Sequence, residues 1–266
     1  MNLPRLQLFE LNDSAWAPPA LRETIVEALS RTLAWGRILE KLAPPFREFL
    51  DRTGAEDVLD LCSGAGGPAA ILAGVLARSG RAPQFLLTDL HPHPEIWERL
   101  REEHPTVDFV RESVDATKIP AGLGAGRARV VINALHHFPP SLAAAILRGA
   151  CDDDSPGVFV AEGFERNPLL FAPFALAGLP ALALGPLLSP RRNFQKALLA
   201  WLTPAALAAS IWDGFVSTMR VYTEEELRAM VARIDGFEWT YGTYGFAAGG
   251  RGYYFYGVRV TPPRGA

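Results

Sequence analysis

Val58-Leu59-Asp60-Leu61-Cys62-Ser63-Gly64-Ala65-Gly66-Gly67-Pro68 is the stretch on which the fold turns. Val58 to Leu61 reads as a short buried strand that carries an acid, Asp60, near its carboxyl end. The glycines after it allow a sharp turn and leave the backbone open to close approach. Pro68 fits the first turn of a helix, where its missing N–H has no partner to lose, so a helix is predicted over Pro68–Arg78. Strand, glycine turn and helix in this order form the opening unit of a sheet that binds ligands at its strand ends.

Downstream, short apolar runs alternate with helical patterns. Strands are expected at Gln84–Thr88, Val107–Val110, Ala128–Asn133 and Gly157–Ala161, with helices at Glu95–Glu103 and Pro140–Ala150. This alternation implies parallel pairing, helices on both faces and right-handed crossovers. Further on, Thr223–Ile234 is a helix with Thr223 as its cap and Glu226 completing a capping box. Glu238–Tyr244 and Tyr253–Val260 then read as two strands joined by a Gly-rich loop, hence an antiparallel terminal hairpin. Residues 19–50 are expected to be helix in two pieces, broken at Pro44-Pro45, with Leu21, Ile25, Val26, Leu29 and Leu33 at helical spacing. The expected fold is α/β: a Rossmann-like, mostly parallel seven-stranded sheet with helices on both faces. An N-terminal helical cap (1–54) precedes the ligand-binding domain (55–266), which carries an apolar helical insertion (167–212) after its fifth strand.

Composition bounds the function. With 266 residues, 49% of them apolar, the chain can bury one substantial core. A net charge of −3 gives no electrostatic reason to expect nucleic acid as a partner. The two cysteines, Cys62 and Cys151, make no disulfide framework, and the five histidines lack zinc-ligand spacing, so no metal is expected. The first residues show no secretory pattern, and the cytoplasm is the expected compartment.

Asp60 separates the ligands that such a turn could hold. A dinucleotide presents its pyrophosphate to amides and the helix N-terminus, where a neighbouring carboxylate repels it. S-adenosylmethionine (SAM) has no phosphate and carries a cationic amino group and a sulfonium, which a carboxylate favours. The segment resembles motif I of class I SAM-dependent methyltransferases: an acid, one residue, then Gly-x-Gly-x-Gly. Here Cys62 stands at the first Gly position, while Gly64 and Gly66 match the second and third. The same residues also fit Gly-x-Gly-x-x-Ala, through Gly64, Gly66 and Ala69, which keeps NAD open as a rival.

Three further strand ends extend the resemblance over residues 56–162. Asp89, before Leu90, closes the second strand, where an acid can accept from both ribose hydroxyls. The resemblance implies that Asp115 accepts from the adenine amino group, with Val114 and Ala116 beside the ring. At the fourth strand, Asn133-Ala134-Leu135-His136-His137 places Asn133 and His136 toward the cofactor or acceptor. Asp60, Cys62, Gly64, Gly66, Asp89, Leu90, Asp115, Ala116 and Asn133 are therefore the candidate cofactor residues.

The insertion is the unusual part. Between Asn167 and Trp212 the only charges are Arg191, Arg192 and Lys196, set between apolar arms at Pro168–Pro190 and Ala197–Trp212. The first arm is long enough to span a bilayer, but Pro168, Pro173, Pro180, Pro186 and Pro190 interrupt it. Four readings stay open: an apolar lid over the substrate, peripheral membrane contact through 168–212 with the arginines at the headgroups, plain packing or dimer contact, and true spanning. The first two imply an apolar acceptor. Trp212–Tyr222 and the Trp16 region are similar to unassigned bacterial methyltransferase-like sequences. Asp213 is expected either to pair with Arg220 or to form with Arg220 and Tyr222 a polar cluster facing the acceptor.

Methyl transfer from SAM needs alignment and exclusion of water more than an enzyme nucleophile, consistent with the missing triad signature. A hydroxyl or acidic-carbon acceptor also needs a base, for which His136, His137 and Asp213 are the candidates. The expected function is direct methyl transfer to a hydrophobic small molecule or lipid-like acceptor. The alternatives are an NAD-dependent oxidoreductase, which lacks a Tyr-x-x-x-Lys pair here, and a non-catalytic SAM-binding module at a membrane.

Overall fold

The computed structural model describes residues 3–14, 16–151, 155–189, 193–246 and 250–260, with every side chain in them except those of Leu170, Pro173 and Phe174. By packing, the chain divides into a sheet unit (Leu39–Gly163, Thr223–Tyr244, Gly252–Ala266) and a helical unit (Met1–Ile38, Phe164–Tyr222, Gly245–Arg251).

The sheet unit carries seven strands: β1 (Asp57–Leu61), β2 (Gln84–Thr88), β3 (Val107–Phe109), β4 (Ala128–Ile132), β5 (Gly157–Glu162), β6 (Phe237–Gly245) and β7 (Arg251–Arg259). They lie in the order β3-β2-β1-β4-β5-β7-β6. The first five pair in parallel, with Asp60 opposite Leu87 and Val130. β7 runs antiparallel against β5, Ala161 opposite Tyr254. β6 pairs on the outer side of β7, closed by Val260 N–H to Gly236 O at one end. The order reverses at β1 and β4, so ligands are expected at the carboxyl ends of these strands.

β4 and β5 are buried along their whole length, as strands covered on both faces must be. One face packs on α2 (Ala43–Thr53) through an aromatic cluster. Phe46 lies 5.0 Å from Phe159 and 6.0 Å from Phe85 between ring centroids, and Phe49 lies 5.6 Å from Tyr256. Truncating a fully buried Phe of this kind costs about 3–5 kcal/mol. A Cβ on Gly157 would come within 2.7 Å of the Phe49 ring, so glycine there sets how closely α2 approaches β5.

The expected break at Pro44-Pro45 is not where the helices part. α1 (Pro19–Trp35) ends at Gly36, and Arg37 turns the chain with φ 50°. Pro44 and Pro45 sit in the first turn of α2, where their missing N–H groups have no intrahelical acceptor to lose. The Thr223–Glu226 capping box forms as expected on α10 (Glu224–Val231). Between them in sequence, α3 (Gly67–Arg78), α4 (Pro94–Glu103), the single turn α5 (Ala121–Gly124) and α6 (Pro140–Ala150) link the strands.

In the helical unit, α1 packs with α7 (Pro168–Leu188) and α9 (Ala205–Arg220) around Ala28, Leu182 and Ala206. α8 (Phe194–Ala197) continues into a wide turn over Leu198–Leu202. Pro168, Pro173, Pro180 and Pro186 do not interrupt the first arm, and Pro190 lies outside the described residues: α7 is one helix of 21 residues, capped by Asn167, which accepts from Leu169 N–H. Buried Lys196 lies 2.8 Å from the carboxylates of both Glu23 and Glu27. Burial disfavours its charge, but these two acids outweigh that and raise its pKa. Arg191 and Arg192 lie outside the described residues. Among the described residues, no single helix is long and apolar enough to cross a membrane.

Candidate cofactor-binding and active site

Backbone geometry marks the carboxyl end of β1. Cys62 holds φ 59°, Gly64 φ 52° and Gly66 φ 77°, a run of left-handed conformations that glycine adopts freely and cysteine does not. The first Gly of the motif thus has a structural reason, and Cys62 meets it at a cost of about 1 kcal/mol. A Cβ on Gly66 would come within 2.8 Å of Leu87 and Leu100, so this glycine lets the turn sit on the sheet and α4. A Cβ on Gly64 would meet nothing within 4 Å. That open side is what a ligand lying on the backbone requires.

The turn is stitched from several directions. Ser63 N–H donates to Thr88 O at 3.0 Å, and the Thr88 hydroxyl donates to Asp60 O at 2.7 Å. The indole N–H of Trp97, a fully buried side chain of α4, donates to Gly64 O at 2.9 Å. Asp89 accepts from Gly64 N–H at 2.9 Å through one oxygen and from His91 N–H at 2.8 Å through the other. Val114 N–H donates to Asp89 O, tying the loop after β3 to the end of β2.

Three carboxylates converge here. The Asp60 carboxyl is buried, and its pKa rises to about 7, first through burial and then through the charge of Asp89, against a hydrogen bond from Ser63. The Cys62 thiol is pushed up to about 12 by burial and by the charges of Asp89, Asp60 and Asp115. It is therefore a thiol, not a thiolate nucleophile, at neutral pH. Asp115 is exposed and accepts from both the amide and the hydroxyl of Thr117, which hold its carboxyl below the usual range. Ala116 is buried beside it, whereas Leu90 is exposed.

At the end of β4, Asn133 also holds a left-handed backbone, φ 54°, and its side-chain oxygen accepts from Gly163 N–H at 2.7 Å. His136 is buried, and Glu162 at the end of β5 grips it twice. One carboxylate oxygen accepts its backbone N–H at 3.0 Å, and the other lies 2.7 Å from Nδ1. The carboxylate is an acceptor, so Nδ1 carries the proton and Nε2 is the basic nitrogen. His137 is half-buried, with its ring centroid 4.1 Å from that of His136.

Asp213 belongs to the helical unit. It is buried on α9 and accepts from Leu11 and Asn12 N–H at 2.7 and 2.9 Å. The expected Asp213–Arg220 pair is absent. Arg220 instead meets Glu10 at 3.0 Å and Asp13 at 3.3 Å and donates to Leu8 O, because the irregular N-terminal segment of residues 5–13 lies along α9. Tyr222 is buried beneath the Arg5 guanidinium, 4.3 Å from it.

Sequence reading missed Glu162, Trp97, Ser63 and Thr88. Glu162 carried a usable signal, an acid closing an otherwise apolar strand. Trp97 carried none, since an aromatic on a helix reads as ordinary core.

No family model and no curated protein matches the chain in sequence. Solved structures do match. A Nostoc punctiforme protein assigned to the O-methyltransferases aligns with TM-score 0.53 at 15% identity, over 96% of this chain and 64% of its own. The methyltransferase domain of bacterial Hen1 (CtHen1-C) aligns with TM-score 0.51 at 11% identity, over 84% of this chain and 100% of its own. At such identities the likeness is one of fold: the chain has the fold of class I SAM-dependent methyltransferases.

Proposed function

We propose that this protein transfers a methyl group from SAM directly to an apolar small molecule or lipid-like acceptor. The observation that carries the reading is the set of acids around the glycine turn, Asp60 buried and Asp89 and Asp115 close enough to act on the Cys62 thiol. A buried carboxyl with its pKa pushed up is one that a cationic ligand would return to its charged form. A pyrophosphate would meet repulsion at the same place, which weighs against the NAD alternative.

Bound there, SAM would supply an electrophilic methyl group on a sulfonium. Asp60 would favour its cationic end, the open side of Gly64 would admit it to the backbone, and Asp89 would accept from its ribose hydroxyls. Asp115 and Ala116 would lie along its adenine. With the methyl passing directly from sulfur to the acceptor, the protein would contribute chiefly alignment and exclusion of water. Where the acceptor loses a proton, Nε2 of His136 would take it, with Glu162 holding the ring in the tautomer that keeps this nitrogen basic. Titration calorimetry with SAM and with NAD tests the cofactor. Heat with SAM alone is the expected result, and heat with NAD alone would overturn the proposal.

An apolar surface on α7 favours peripheral membrane contact as part of the same proposal. Leu169, Leu176, Leu184, Leu187 and Leu188 are exposed on it, as are Phe194 and Leu202 beyond it. Their spacing places the α7 leucines along one side of a helix about 30 Å long. An uncharged exposed stripe of that length suits burial at the headgroup–acyl boundary. A lipid-like acceptor would be met at such a surface.

A further inference from the structure

Within the helical unit, α1, α7 and α9 line an open-mouthed cavity of about 90 Å³. Its body is apolar, walled by Ile25, Leu29, Leu182 and Leu207. Two glycines shape it. A Cβ on Gly214 would strike the Phe171 ring, so the bare α9 backbone lets that ring close one wall. Gly178 lets α7 approach Thr32 of α1, where a Cβ would lie 3.3 Å from the hydroxyl.

One side of the cavity is polar. Ser210, Asp213 and Ser217 recur at three- and four-residue spacing on α9, and so share a face. Asn12 joins them, its backbone N–H donating to the Asp213 carboxylate. The Ser217 hydroxyl is engaged with Glu10, and the Thr32 hydroxyl donates to Ala28 O. The Ser210 hydroxyl and the Asn12 side-chain oxygen, on two residues that line the cavity, are buried with no hydrogen-bond partner. Buried polar atoms of this kind are almost always satisfied, by protein, water or ligand. The Asp213 carboxyl rises above its usual pKa, mainly through burial, despite the two amides it accepts.

We propose that this cavity is a binding site for a small apolar molecule bearing one hydrogen-bond donor, a hydroxyl or an uncharged amine. The leucine and isoleucine walls exclude a polar body, since water filling them would lose its hydrogen bonds. Asn12 and Asp213 offer acceptor oxygens and Ser210 can accept as well, so the polar end of the ligand donates. A carboxylate at that end would face Asp213 and be repelled. An apolar cavity of about 150 Å³ takes benzene, so 90 Å³ sets one small ring as the upper limit of the ligand. The site is formed by residues of the helical unit alone, and the proposal does not depend on methyl transfer.

Phenol, toluene and benzoate are the probes, titrated into the full chain by ligand-observed NMR. Phenol is expected to bind in the millimolar range, toluene about five- to tenfold more weakly for want of one hydrogen bond, and benzoate not at all. Ser210→Ala should bring phenol down to the toluene level and leave toluene unchanged. Ala175→Leu, which fills the cavity from α7, should abolish both, while a cooperative thermal transition and an unchanged far-ultraviolet circular dichroism spectrum report an intact fold. Equal binding of phenol and toluene to the parent chain, binding of benzoate as tight as phenol, or phenol binding that survives Ala175→Leu would each overturn the proposal. So would no binding by a chain that unfolds cooperatively.

Discussion

Glu162 and His136 are joined by two contacts at once, a backbone amide at 3.0 Å and a ring nitrogen at 2.7 Å, with the carboxylate fully buried. The turn after β4 and the end of β5 are thereby locked together, and the imidazole has one orientation.

A base at His136 predicts that His136→Ala lowers kcat by about a hundredfold or more with an acceptor that loses a proton. Glu162→Gln keeps one acceptor oxygen and removes the charge. It should lower kcat in the same direction while the SAM dissociation constant shifts less than about threefold. Steady-state rates beside calorimetric titration check this. A parallel loss of SAM binding in both variants would assign the pair to folding.

Asp60 predicts a pH dependence. With its carboxyl at about 7, a cationic ligand binds the ionised form, so affinity for SAM should tighten as pH rises and weaken as it falls. One titration at that value corresponds to about a tenfold change between pH 6 and pH 8. Without ligand the sign is opposite for stability. The folded carboxyl holds its proton more tightly than the unfolded one at 3.8, so stability declines as pH climbs from there toward about 7. Asp60→Asn should flatten both curves, as read by calorimetry and by denaturant midpoint.

Gly64 and Gly66 should separate binding from folding. Gly66→Ala adds left-handed strain of about 1 kcal/mol and overpacking of about 1–3 kcal/mol against Leu87 and Leu100, and should lower stability by about 2–4 kcal/mol. Gly64→Ala carries only the strain, yet its methyl points into the open side where the proposed cofactor would lie, so it should lose SAM affinity out of proportion to stability. Urea midpoints beside titrations distinguish the two.

The strand ends, the glycine turn and the capping box were legible because each is a local event. An apolar run, a missing Cβ and an N-cap oxygen act within a few residues of themselves. Pro44-Pro45 misled because a proline pair stops a helix and starts one equally well, and only the turn at Gly36 and Arg37 decides which. The Asp213–Arg220 pair failed for a different reason. Their partners, the amides of Leu11 and Asn12 and the carboxylates of Glu10 and Asp13, come from some two hundred residues away, and no spacing rule reaches that far. Glu162 against His136 and Trp97 against Gly64 are contacts of the same long-range kind.

The α7 stripe predicts liposome flotation. Leu176→Glu with Leu187→Glu, both on exposed positions, should abolish flotation with phosphatidylglycerol vesicles and leave SAM binding and thermal stability near those of the parent chain. Flotation unchanged in this variant would remove the membrane from the proposed function.

The strand order has a consequence for synthesis. β6 leaves the ribosome before β7, yet β7 is the strand that lies between it and β5. Until β7 follows, the nascent sheet presents the bare rim of β5 while β6 has nowhere to dock, and both can pair with a foreign chain. Slow translation between residues 245 and 259 would lengthen that interval, and chaperone capture or inclusion bodies would be its outward sign.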